Sequence, residues 1–166
     1  NQNIALFSPL ISDATPLIGI EPSAILTFRD EYPDLATDQN LHAAKALASN
    51  AFLIDEFIAR EINQGRISKD QFNTNKRSIL LHGHCQQKAV GSLADSIKIL
   101  SFPENHTVET IPSGCCGMAG SFGYEKEHYD VSMKIGELVL FPSVRKNSGT
   151  CTVAAPGTSC RHQIKD

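Results

Sequence analysis

Four of the five cysteines fall where an apolar run gives way to a loop: Cys85 after "SILLHGH", Cys115 and Cys116 in "PSGCCGMAGSFG", and Cys160 in "PGTSC". Thiols at helix starts lose their protons more readily, which favours metal ligation or redox work. Soft thiolates select zinc, copper(I) or iron–sulfur clusters. Adjacent Cys115 and Cys116 cannot both point into one ordinary core site. Two neighbouring sulfurs suit a multi-iron cluster, in which they reach different irons or bridge them. Single free cysteines are commonly small buried hydrophobes, but four in this arrangement on three segments argue against that reading here. Gly83, Gly114, Gly117 and Gly120 fit a thiolate site, because glycine permits positive φ and lets backbone N–H groups approach sulfur or an anionic cluster.

Histidine is a common metal ligand and proton carrier, and His82 and His84 flank Gly83 beside Cys85. At most one of the two is expected to face the site, with His84 in its vicinity. His162, two residues beyond Cys160, could face the same pocket; His106 and His128 have no such context. Cys151 opens the "CTVAA" run and is expected at the opposite end from the other thiols, as a buried structural residue.

The elements that must position these groups alternate. Ile4 to Phe7 and Leu17 to Ile20 read as buried strands. A helix is expected from Pro22, closed by Pro33. Two helices follow between Asp38 and Asn63, broken near Ser49-Asn50. The second carries an apolar stripe of Ile54, Phe57, Ile58 and Ile62, with Asp55, Glu56 and Arg60 turned outward, and Gly65 as its cap. "RISKDQFNTNKR" is a polar surface connection. "SILLHGHC" is a strand entering a loop, "QQKAVGSLADSIKIL" a helix, "HTVETI" a strand, and "PSGCCGMAGSFG" a loop. A long helix from about Tyr124 to Lys146 places Val131, Ile135 and Leu138 on one face, with Pro142 ending or kinking it. "CTVAA" is a last strand before a terminal helix. Strands alternating with helices predict α/β architecture with a largely parallel sheet flanked by helices, and cysteine-bearing loops at the C-terminal ends of the strands. "LIGIEPSAILTFRDE" (17–31) also echoes "TVAAPGTSCRHQIKD" (152–166), as a recurring strand–turn–helix unit with Ala24 where the second copy has Cys160.

At 166 residues the chain is long enough for one domain with its own core. A net charge of −3 gives no sign of nucleic-acid binding, and no apolar run is long enough to span a bilayer. An odd cysteine count, with none before Cys85, fits a secreted disulfide framework poorly and points to a reducing compartment. No leader is apparent, and with Asn1 first and a strand-like run at once, a fragment of something longer is expected. No P-loop, G-x-G-x-x-G after a strand, or G-x-S-x-G is present, so no flavin or nicotinamide site is argued for this chain.

"HGHCQQKA", "SGCCGMAGSFGYEKEHYDVSMKIGE" and "VAAPGTSCRHQI" together resemble the cysteine-rich CCG domain, of the kind found in heterodisulfide reductase. They are most similar to the C-terminal iron–sulfur part of FAD-linked oxidases of the D-lactate (D-2-hydroxyacid) dehydrogenase and glycolate oxidase type. Related domains occur in anaerobic glycerol-3-phosphate dehydrogenase. "PLIGIEPSAILTFRDEYP" resembles the close of a preceding repeat. The resemblance implies one α/β domain over 1–166, with the end of a first CCG repeat and a helical connection over 1–64 and a second repeat over 78–166.

It further implies an iron–sulfur electron-transfer module. A cluster of 4Fe-4S type would be held by Cys85, Cys115, Cys116 and Cys160, with Gly114 and Gly117 shaping the loop and His84 tuning the site. FAD and ferredoxin-like clusters would belong to upstream domains or subunits, the electron acceptor being open. The fragment alone would be inactive as a dehydrogenase, and cytoplasmic or attached to the inner face of the membrane through partners. This sequence departs from the family pattern at Gly157, where the first cysteine of a C-x-x-C would stand, and at Ala24, where the earlier repeat expects a cysteine. Four candidate ligands remain. They leave a four-cysteine cluster or a structural zinc module open, with a vicinal Cys115–Cys116 redox pair as the third reading.

Overall fold

The computed structural model describes residues 1–165; Asp166, the last residue of the 152–166 echo and of the 78–166 segment, lies outside them. The chain opens with helix α1 (Gln2–Phe7), not the strand expected over Ile4 to Phe7. A four-residue apolar run carries no period that separates strand from helix. Packing decides here: Ile4 is buried with Ala44 and Leu47, and the Asn1 side chain accepts from the Thr37 and Asn40 side of the same layer. Strand β1 (Leu17–Gly19) leads into α2 (Pro22–Ile25), a 3-10 turn (Leu26–Phe28) and α3 (Glu31–Leu35). Pro33 does not close a helix. It lies in the first turn of α3, where its missing N–H has no intrahelical partner to lose.

Helix α4 (Asp38–Ser49) and helix α5 (Ile54–Asn63) are separated by a strand, β2 (Ala51–Leu53), that the helical reading of this region missed. β2 pairs in parallel with β1, Leu17 opposite Ala51 and Gly19 opposite Leu53. Because α5 leaves β2 without a loop, its first turn points inward. Asp55 is buried, where Gln87 Nε2 donates to it at 3.0 Å and the Ser96 hydroxyl bonds the same oxygen. Glu56 accepts from the Leu53 N–H at 2.8 Å and pairs with Arg29. Ile54 is left exposed. The expected outward placement of Asp55 and Glu56 is therefore reversed. Hydrogen-bond partners from other segments override the helix's own apolar pattern.

After the exposed 66–76 connection come β3 (Arg77–Leu81), α6 (Cys85–Val90), α7 (Ala94–Ser101) and β4 (His106–Thr110). The single helix expected after Cys85 is thus two, parted at Gly91. Helices α8 (Tyr129–Leu138) and α9 (Leu140–Lys146) replace one long helix. The break is at Val139 (φ −147°, ψ −44°), because the Pro142 ring would clash with the carbonyl of Leu138 four residues back. On α8 the buried positions are Ser132 and Gly136, while Val131 and Leu138 are exposed. Of the face expected to carry Val131, Ile135 and Leu138, only Ile135 is half-buried. Strand β5 (Thr152–Ala154) and helix α10 (Thr158–Lys165) complete the chain.

The second sheet is parallel, with strand order β4-β3-β5. The chain steps from β3 to one side to make β4, then crosses back over β3 to make β5. That reversal opens a crevice at the C-terminal ends of the strands, where open α/β sheets bind ligands. Leu81 of β3 and Leu140 of α9 are almost fully buried, each contributing about 1.5–3 kcal/mol by burial. The core beneath the crevice also contains Leu80, Ile111, Met118 and Phe141, together with Cys116 and Cys160.

Candidate metal centre

Each strand of this sheet ends in a loop that delivers one part of the site. The β3 ladder runs past Leu81 through the His82 N–H to Ala154 O (2.9 Å), so His82 stands on the central strand. Its side chain is fully buried, with Nδ1 2.7 Å from Ser113 Oγ and Nε2 without a hydrogen-bond partner among the described residues. His84 caps α6, its Nδ1 accepting from Gln86 N at 3.2 Å, and Cys85 follows as an exposed first helical residue. From β4, the Ile111 N–H still bonds to Leu81 O (2.8 Å) before the chain turns into the loop that carries Cys115 and Cys116. From β5, the loop through Gly157 starts α10 with Cys160 buried in its first turn.

A ring nitrogen of His82 and the sulfurs of Cys116 and Cys160 lie within 4.8 Å of one another, all buried. The half-buried Cys115 turns the other way, towards Cys85, and its sulfur accepts from the Gly117 N–H at 3.3 Å. The loop thus splits its doublet, with Cys116 inward and Cys115 outward. Hydrogen bonding from Cys160 holds the Cys116 thiol well below the usual thiol range, against the opposing effect of burial and with the help of His82 beside it. The same bond, with burial, pushes Cys160 up. Burial raises Cys115 as well. Two of the clustered donors are soft thiol sulfurs, and the buried imidazole nitrogen beside them has no nitrogen or oxygen partner among the described residues. That donor set fits a soft metal or an iron–sulfur cluster.

Several residues that sequence reasoning did not single out hold this arrangement. Lys88 Nζ donates to the carbonyls of Ser113 (2.5 Å) and Gly114 (2.6 Å), pinning the start of the loop. Gln163 Nε2 donates to Cys116 O at 3.0 Å and to Ser132 Oγ at 3.0 Å, tying the loop to α8 and α10 from behind. Both lie three residues after a cysteine on a helix, a spacing that puts them on the cysteine's face. His162, by contrast, is exposed against the edge of Tyr124. Gly117 sits at φ +101°, and a Cβ there would lie 2.3 Å from Ser132 O. Gly114 has open space around it. Cys151 lies at the N-terminal end of β5, half-buried, its Sγ 3.5 Å from Asn147 O.

His82 joins Cys116 and Cys160 in the buried group, while His84, at the same end of the sheet, has its ring nitrogens on Gln86 N and towards Glu21. Burial lowers the His84 pKa despite the Glu21 carboxylate 3.8 Å from its Nε2. A Cβ on Gly157 would lie 2.2 Å from the His84 ring, so the imidazole occupies the space that any side chain at 157 would need. Glu21 also accepts from the Thr158 N–H at 2.7 Å, which brings the turn after β1 against the turn after β5. Burial alone would raise its carboxyl, but the hydrogen bonds from Thr158 and Ser23 bring it below the ordinary value.

The chain has relatives of known activity. It is 28% identical over 151 residues to D-2-hydroxyglutarate dehydrogenase of Pantoea ananatis (strain AJ13355), covering 90% of this chain and 14% of that protein. It is 27% identical over 151 residues to D-2-hydroxyglutarate dehydrogenase of Escherichia coli (strain K12), with the same coverage. It is 25% identical over 150 residues to one of the subunits of the anaerobic glycerol-3-phosphate dehydrogenase of Escherichia coli (strain K12), covering 90% of this chain and 36% of the relative. The chain thus spans well under half the length of the curated relatives it matches. No protein-family model and no solved structure matches it significantly. Among the described residues no helix is long and apolar enough to cross a membrane.

Proposed function

We propose that this chain is the iron–sulfur electron-transfer module of an FAD-linked dehydrogenase acting on a D-2-hydroxy acid, with Cys85, Cys115, Cys116 and Cys160 holding the centre. The observation that carries the reading is the buried group of His82, Cys116 and Cys160, delivered from the ends of three parallel strands to the crevice where the strand order reverses. Relatives that are dehydrogenases or part of one support it. An iron–sulfur centre supplies one-electron acceptance and release. The chain's own part is to hold the donors in place, through Lys88 and Gln163, and to keep Cys116 and Cys160 out of water. FAD and ferredoxin-like clusters belong, in this proposal, to upstream domains or subunits, and the single domain holds the end of a first CCG repeat with a helical connection over 1–64 and a second repeat over 78–166.

Anaerobic reconstitution with ferrous iron and sulfide tests the proposal. The expected result is bound iron and sulfide with broad visible absorption that dithionite bleaches, and loss of both in Cys116→Ser. The chain alone is expected not to oxidise D-2-hydroxy acids with dye unless the flavin-bearing part is supplied. Stoichiometric, colourless zinc would favour the second reading, a structural module, which the mixed thiolate and imidazole donors also suit.

A further inference from the structure

A centre built from four sulfurs leaves the most enclosed polar side chain at the site without a role. His82 has no exposed surface, Ser113 Oγ holds its Nδ1 at 2.7 Å, and its Nε2 is buried without a partner. Native interiors leave few polar atoms unpaired, and each one requires a reason. The ring cannot be an incidental core residue, because one of its nitrogens and the Cys116 and Cys160 sulfurs lie within 4.8 Å of one another. Metal-bound histidines characteristically commit their second nitrogen to a fixed partner, which sets the tautomer and aims the first. Ser113, on the loop after β4, provides that partner. His84 is committed elsewhere, with Nδ1 on Gln86 N and Nε2 towards Glu21.

We infer that Nε2 of His82 is a metal ligand, forming with Cys116 and Cys160 the buried inner side of the centre, to which Cys85 and Cys115 add the outer side. This rests on the metal-centre reading and deepens it. With the Nδ1 proton donated to Ser113 Oγ, the Nε2 lone pair is free to bind. Cys116 and Cys160 bind as thiolates, and any proton the pair still carries leaves to solvent. Compared with a cysteine at this position, a neutral imidazole leaves the centre with one negative charge fewer, which makes it easier to reduce.

The test uses the whole chain, loaded anaerobically with ferrous iron and sulfide, reduced, and examined by pulsed EPR. Nitrogen coupling is expected in the wild type. It should disappear in His82→Cys, which keeps its iron and shows a lower midpoint potential, and persist in His84→Ala. If His82→Cys does not fold by circular dichroism, Ser113→Ala decides in its place: it keeps the ring, frees Nδ1, and should change the coupling while His84→Ala does not. If the chain takes zinc alone, cobalt(II) in its place carries the same nitrogen test. A centre of equal metal content without histidine coupling would overturn the inference and leave the metal-centre reading standing. A wild-type chain that binds neither iron–sulfide nor zinc would overturn both.

Discussion

Two glycines at the site serve opposite ends of one design. Gly117 adopts a backbone conformation that L-residues avoid, with Ser132 O against its Cα. Gly117→Ala is therefore expected to destabilise the fold by about 2–3 kcal/mol, combining left-handed strain with a backbone clash; urea unfolding measures it. Gly157 is at ordinary φ but faces the His84 ring. Gly157→Ala should cost less globally, while displacing His84 from its cap on α6. Histidine NMR resonances would report that displacement, and their persistence unchanged would show that the ring has room to spare. The cysteine doublet itself was legible from sequence, since adjacent thiols among glycines have no ordinary core solution. The fully enclosed His82 was not, because nothing local distinguishes it from His84. The difference lies in Ser113, thirty-one residues away.

At the scale of elements, the turn after β1 and the start of α10 are joined by one carboxylate, Glu21, on the Thr158 N–H. Glu21→Gln should weaken this tie by roughly 1 kcal/mol at neutral pH, since it removes the charge from a charge-assisted bond at a helix N-terminus. The folded-state pKa of Glu21 lies below its ordinary value of 4.5. Its contribution is therefore present above that value and lost as pH falls through the lower folded one. The gap between wild type and variant in urea midpoints should accordingly close on acidification below about pH 4.5; a gap that stays constant well below that pH would remove the carboxylate from the explanation. Strands β3, β4 and β5 were readable because each is an apolar or alternating run ending at turn chemistry. Strand β2 was hidden, since three residues between two helical patterns carry no period of their own, and pairing with β1 alone makes them a strand. The reversed face of α5 was hidden for the same kind of reason: Asp55 is buried by Gln87 and Ser96, residues far along the chain.

Over the whole molecule, exposed apolar side chains include Val131 and Leu138, which at seven residues apart share one face of α8, the latter 77% exposed. Single exposed hydrophobes are ordinary, but a grouped face marks a surface that associates. Leu138→Glu should leave stability within about 0.5 kcal/mol and reduce concentration-dependent self-association in sedimentation velocity. The split doublet has a consequence at this scale too. Cys116 faces Cys160, and Cys115 faces Cys85. A mild oxidant such as diamide, removing two electrons and two protons per bond, should therefore link 116 to 160 and 85 to 115, and not 115 to 116, as peptide mapping by mass spectrometry would show. Both bridges span long stretches of chain, which favours stabilisation of the fold by roughly 3–4 kcal/mol each if unstrained. Air would then yield a chain that melts later than the reduced form yet refuses metal until a thiol reductant reopens it, so heat resistance in this protein would report damage rather than health.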